Sequence, residues 1–180
     1  MVSKWKLMND LEIAKKHLHT KQVAIAVVKS GEIIFETCSH RISGFLEAID
    51  RLGSRLENSS IADRVAGKAV ALLCVYIGVK AVYADILSKK AKVVFDSNGI
   101  ACSWGELVEN ILDANKSKLC PFEEKAIGIS QPNEAYQAFK NLQKTLSKKN
   151  LSATNCLYLS WLDCSMLKWR RNSWAMNYFI

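Results

Sequence analysis

"SSIADRVAGKAVALLCVYIGVKAVYADILS", residues 59–88, decides the architecture. Ser60 followed three residues later by Asp63 has the form of a capping box, the usual signature of a helix start. A carboxylate in a first helical turn gains about 0.3–1 kcal/mol from the helix dipole. The expectation is one long helix from Ser60 to about Ile77. Gly67 is awkward inside it, because a mid-helix glycine costs about 1 kcal/mol relative to alanine. Its presence implies that something passes very close to that backbone. Lys68 is the last charge before eleven uncharged residues, Ala69–Val79. Two uses are open to it: a stem that snorkels to water, or an anion contact at the rim of a pocket. After this helix VKAVYADIL (79–87) reads as the best buried strand in the chain.

Working outward, Ser88 can cap a helix over SKKAKVVFDS that stops at Asn98-Gly99. IACS (100–103) reads as a short strand and ELVENIL (106–112) as a helix, with Pro121 at the first position of another. Asn133–Leu146 closes the body as a helix whose inner stripe is Ala135, Phe139, Leu142 and Leu146. Upstream, residues 4–19 form an amphipathic helix with Leu7, Leu11, Ala14 and Leu18 on one face. VAIAVVK (23–29) and EIIFET (32–37) are strands joined by a Ser30-Gly31 turn, and Phe45, Ile49 and Leu52 mark a short helix ended near Gly53. Strands separated by helices need crossovers and so pair in parallel, while the hairpin adds an antiparallel pair. The fold class expected is α/β, a three-layer α/β/α sandwich around a mixed sheet. Residues 1–147 form the domain and 148–180 a Trp- and Cys-rich extension. That extension holds three of the five tryptophans. Two readings of it stand: a docking or membrane-surface helix with Leu162, Met166 and Trp169 on one face, or an appendage that packs opportunistically.

Composition narrows the classes. Of 180 residues 49% are hydrophobic and 23% charged, the balance of a globular domain with a proper core. No apolar run approaches the roughly 20 residues a bilayer needs, and the N-terminus has no signal-peptide pattern, so the expectation is a cytoplasmic protein. The six cysteines, at 38, 74, 102, 120, 156 and 164, form no C-x-x-C pair and read as reduced, partly buried thiols. The net charge of +8 comes from scattered lysines without an aromatic-studded stripe, which argues for a solvated surface over a nucleic-acid footprint. His17 and His19 fall on different faces of the first helix and His40 in a loop; all three read as solvated.

A second helix start lies in SKLCPFEEKAIG, residues 117–128. Cys120 takes the N-cap, Pro121 the first position and Glu123 the third. A thiol there faces the positive end of the helix, a setting that favours thiolate, while Glu123 can reach back to the cap and opposes it electrostatically. It is either a plain helix start with cysteine in place of serine, or a reactive thiol or single ligand.

Ala62-Asp63-Arg64, Gly67-Lys68-Ala69, Gly78-Val79, Val82-Tyr83-Ala84, Ser88, Ala91, Gly99-Ile100 and Cys120-Pro121 with Glu123, in this order from about residue 7 to 146, resemble a small prokaryotic family. It is one of the numbered domains of unknown function, with a cytidine-deaminase-like fold; Trp104 stands where that pattern has tyrosine. The resemblance implies two helix N-termini converging on one site, beginning near Asp63 and Cys120. It does not carry over zinc chemistry. Zinc deaminases need H-x-E or C-x-E on the first helix and P-C-x-x-C on the second, whereas this chain offers Ala62-Asp63-Arg64, and Cys120-Pro121 with Glu123. No metal and no other cofactor is therefore expected.

Three readings follow. In the first, the protein binds a nucleotide or related small anionic metabolite, through helix N-termini with Arg64, Gly67, Lys68, Tyr83, Ser88 and Trp104 as binding residues. Tyr83 and Trp104 can stack on a base or simply fill the core. In the second, it is a non-zinc hydrolase or transferase using Cys120 as nucleophile, or Asp63 and Glu123 as acid–base groups. In the third, it is a regulatory or interaction module. A homo-oligomer is compatible with each, a membrane span with none.

Overall fold

The computed structural model describes residues 4–39 and 42–153. Of these, the residues up to Lys144 form one compact unit and those from Thr145 onward belong to a second. His40 and the Trp-rich stretch after residue 153 lie outside the described residues, and with them both readings of that stretch.

Five strands build one mixed sheet: β1 (Ile25–Lys29), β2 (Glu32–Thr37), β3 (Ser60–Ala66), β4 (Ala81–Ser88) and β5 (Ala101–Val108), in the order β2-β1-β3-β4-β5. β1 pairs antiparallel with both β2 and β3, whereas β3, β4 and β5 run parallel. The hairpin turns as expected at Ser30 and Gly31, both at positive φ (57° and 85°), the pairing that matches strand twist. Asp10 fixes it from outside, its carboxylate accepting the N–H groups of Ser30 (2.9 Å) and Gly31 (2.7 Å). Asp10 belongs to α1 (Lys4–Lys21), whose Ala14 and Leu18 are fully buried against Val23, Ala26, Val28, Ala62 and Tyr83 on one face of the sheet.

The other face carries the crossovers α3 (Lys68–Ile77) and α4 (Lys89–Ser97), with α2 (Ile42–Leu52) packed on α3. α5 (Pro121–Ile127) packs on α3 too, and Phe122 of α5 meets Phe139 of α6 (Pro132–Ala153) edge to face, ring centroids 6.3 Å apart. Helices thus cover both sides of a mixed sheet, the α/β class expected. No helix among the described residues is long and apolar enough to cross a membrane.

Two elements differ from expectation. Residues 60–66 are a strand, not the first turns of a helix. β3 lies between β1 and β4 and is hydrogen-bonded along both edges, a gain that outweighs the helix propensity of its alanines. The capping box does not form: the Ser60 hydroxyl is buried without a partner, and Asp63 Oδ1 instead accepts the Val65 N–H at 3.1 Å. The helix begins only after Gly67, an N-cap in extended conformation. Likewise ELVENIL is not a helix. β5 continues to Val108 through Glu106↔Ile86, Leu107↔Leu87 and Val108↔Ser88, its length set by the strand beside it. Among the described cysteines Cys74, Cys102 and Cys120 are free.

Candidate functional site

Parallel strands β3 and β4 end side by side, and each feeds a helix with almost no loop. Gly67 alone separates β3 from α3, and Ser88 is both the last residue of β4 and the N-cap of α4, its hydroxyl accepting the Ala91 N–H at 3.1 Å. The start of α5 faces these two. Its Pro121 presets the first-turn φ, and Glu123, in that first turn, points inward with 2% exposure. Glu123 Oε1 accepts from the Ser88 hydroxyl (3.1 Å) and Oε2 from the Ala69 N–H (3.3 Å). A side chain on Gly67 would collide with that carboxylate: a Cβ there would lie 2.8 Å from Glu123 Cδ and 3.0 Å from Ile111 Cγ1. The close neighbour that Gly67 implied in the sequence is Glu123.

Of the residues singled out from sequence, Gly67, Ser88 and Glu123 meet at this junction, with Lys68 and Cys120 at its edge. Lys68 is half-exposed and donates from Nζ to the Ile127 carbonyl (3.2 Å), an acceptor that leaves its charge uncompensated. Cys120 is half-buried at the N-cap of α5 and makes no side-chain capping bond.

Asp63 is elsewhere. It stands four residues before Gly67 in β3, about 13 Å along the strand. It is 7% exposed and close enough to Cys74 of α3 to act on it electrostatically. Desolvation is the main cause that pushes its carboxyl up to about 7, helped by the negative Asp85 and opposed by N–H donors from Val65 and Arg64. Burial, and then Asp63 itself, push the Cys74 thiol well above its usual value. The acid that confronts the start of α3 is therefore Glu123, not Asp63.

Arg64 and Tyr83 do not reach the junction either. Both engage Asp85 on the α1 face. Arg64 donates to Asp85 Oδ2 (2.8 Å), to Leu18 O (3.1 Å) and to Val23 O (3.2 Å); the Tyr83 hydroxyl donates to Asp85 Oδ1 (3.0 Å). His19 Nε2 lies 2.7 Å from the same oxygen. Burial works to raise the Asp85 carboxyl, but hydrogen bonds from His19, Arg64 and Tyr83 together hold it below its ordinary value. His17 also has a carboxylate partner, Glu36 of β2, so neither histidine is merely solvated. Sequence reading missed this cluster; its one signal was Asp85, a charge inside an otherwise apolar strand. Trp104 lies on edge strand β5, 36% exposed, with the Lys92 ammonium 5.6 Å from its ring centre.

A zinc centre does not fit these residues. Both oxygens of Glu123 are taken by donors, and among the described residues no three His, Cys, Asp or Glu side chains gather as a ligand set. What the junction provides is three helix starts at the carboxyl ends of parallel strands, with a lysine and a thiol on the rim.

The DUF1893 family protein TM1506 from Thermotoga maritima, known from a crystal structure, is similar to this chain. The TM-score is 0.67 at 25% identity, over 78% of this chain and 92% of that one. A diaminohydroxyphosphoribosylaminopyrimidine deaminase/5-amino-6-(5-phosphoribosylamino)uracil reductase from the same organism aligns with a TM-score of 0.37 at 20% identity, over 67% of this chain and 41% of its own. No curated protein matches. The family model described as TM1506, domain of unknown function DUF1893, matches residues 13–143, which take in every strand and the Gly67–Ser88–Glu123 junction, and the chain belongs to that family.

Proposed function

We propose that the protein is a deaminase-fold binding protein without zinc catalysis, and that its ligand is a nucleotide or related small anionic metabolite. The observation that supports this is the meeting of the α3, α4 and α5 starts at the carboxyl ends of β3 and β4, where open α/β sheets hold their ligands. Helix starts favour anions, but Glu123 already takes the Ala69 N–H, so the ligand's charge meets the rim cation Lys68. Glu123 shapes the floor without touching the ligand. A thermal-shift series with nucleoside mono- and diphosphates tests this on wild type and Lys68→Ala. At ligand one hundred times Kd, wild type gains about 2.7 kcal/mol, a rise of roughly 5–10 °C, and Lys68→Ala loses most of it. A wild type that no nucleotide shifts rules the reading out.

One observation favours a second reading, a non-zinc hydrolase or transferase. Cys120 is the one candidate catalytic group at the junction that is both partly accessible and uncapped. Alkylation at neutral pH then labels Cys120 well ahead of Cys102, which is similarly half-buried; equal rates end the idea.

A further inference from the structure

In zinc deaminases the metal is gripped by ligands from two helix starts, and gripping it ties those helices together. At the junction of α3, α4 and α5 no such ligand set gathers among the described residues. We infer that Glu123 has taken over the tie: one buried carboxylate fastens the α5 start to the α3 backbone and to the α4 cap, and Gly67 is the space it requires. This holds whether or not the junction takes a ligand.

Four contacts carry the inference. Ala91 N–H donates to Ser88 Oγ, Ser88 Oγ donates to Glu123 Oε1, and Ala69 N–H donates to Glu123 Oε2, so one chain of hydrogen bonds runs through three helix starts. The fourth is the missing side chain: at Gly67 a Cβ would occupy space that Glu123 already fills. A carboxylate only 2% exposed survives only with its oxygens satisfied, and each oxygen here has a donor. A metal at this point would have to displace those donors. The junction is thus closed without one, and its integrity is independent of metal supply.

Thermal unfolding of the full chain tests this. Wild type is expected to melt at one temperature with excess chelator, with added zinc and with neither, and to purify with far less than one metal per chain. Glu123→Ala leaves the Ser88 hydroxyl and the Ala69 N–H buried and unpaired, and is expected to lower Tm by about 3–10 °C. Formate, a free carboxylate small enough for the gap, restores part of that loss, and sodium chloride at equal ionic strength does not. Gly67→Ala is also expected to lower Tm, and markedly less in the Glu123→Ala background, since the clash partner has gone. A chelator-sensitive wild type, stoichiometric zinc lost on Glu123→Ala, or strictly additive losses at 67 and 123 would overturn the inference. Should Glu123→Ala fail to fold, Glu123→Gln is measured alone: its amide can accept from only one of the two donors, so Tm is expected to fall, and an unchanged Tm would overturn the inference.

Discussion

Asp63 has two backbone N–H groups for company and no cation, at 7% exposure. Burial therefore favours its neutral form, and its carboxyl rises from 3.8 to about 7. The folded state then holds a proton that the unfolded chain gives up between pH about 4 and about 7, so stability from this group falls as pH rises through that window. Below it the group is protonated in both states and costs nothing. Asp63→Asn keeps the acceptor for the Val65 N–H and abolishes the titration. The variant is expected to gain on wild type as pH rises from about 4 to about 7, by up to roughly 4 kcal/mol, and to hold that lead above it. Urea denaturation across that range reads it; a difference that does not change with pH would show that Asp63 is ionised in the fold.

At the scale of elements, β3 is the instructive case. A cap and a ladder make opposite demands on Ser60. Were it a helix N-cap, Ser60→Ala would cost about 1 kcal/mol. As a strand residue whose hydroxyl is buried and unpartnered, it loses nothing by becoming alanine, and the variant is expected to be neutral or more stable. A clear loss on denaturation would restore the helical reading of residues 60–66. The hairpin, α2, β4, the Ser88 cap and the Pro121 start were legible because local chemistry fixes each. β3 and the far half of β5 were not, because what makes them strands is the strand paired beside them, on both edges of β3 and on one edge of β5, which no local pattern contains. Gly67 was the legible clue to the site, since it registered a crowded backbone even while its helical setting was misread. Glu123 was legible as a residue, but its bond to Ala69, fifty-four positions away, was not.

For the whole molecule, the sheet is held to its helices by polar joints as well as by its apolar core. On the α1 face the joint is Asp85, which draws together α1 through His19, β3 through Arg64 and its own strand through Tyr83. Arg64 also ties the end of α1 directly, through the Leu18 carbonyl. Arg64 and Asp85 are each about one-quarter to one-third exposed, so solvent screens the pair and its worth lies in geometry as much as in charge. Asp85→Ala is expected to cost about 1–3 kcal/mol, with Arg64→Ala similar and the double variant short of their sum by about 1 kcal/mol. Hydrogen exchange should place the damage: amides in the second half of α1 lose protection in Asp85→Ala while those of α3, fastened on the opposite face by Glu123, keep theirs. Additive losses, or protection lost equally in α1 and α3, would mean that Asp85 supports the fold at large and does not anchor α1.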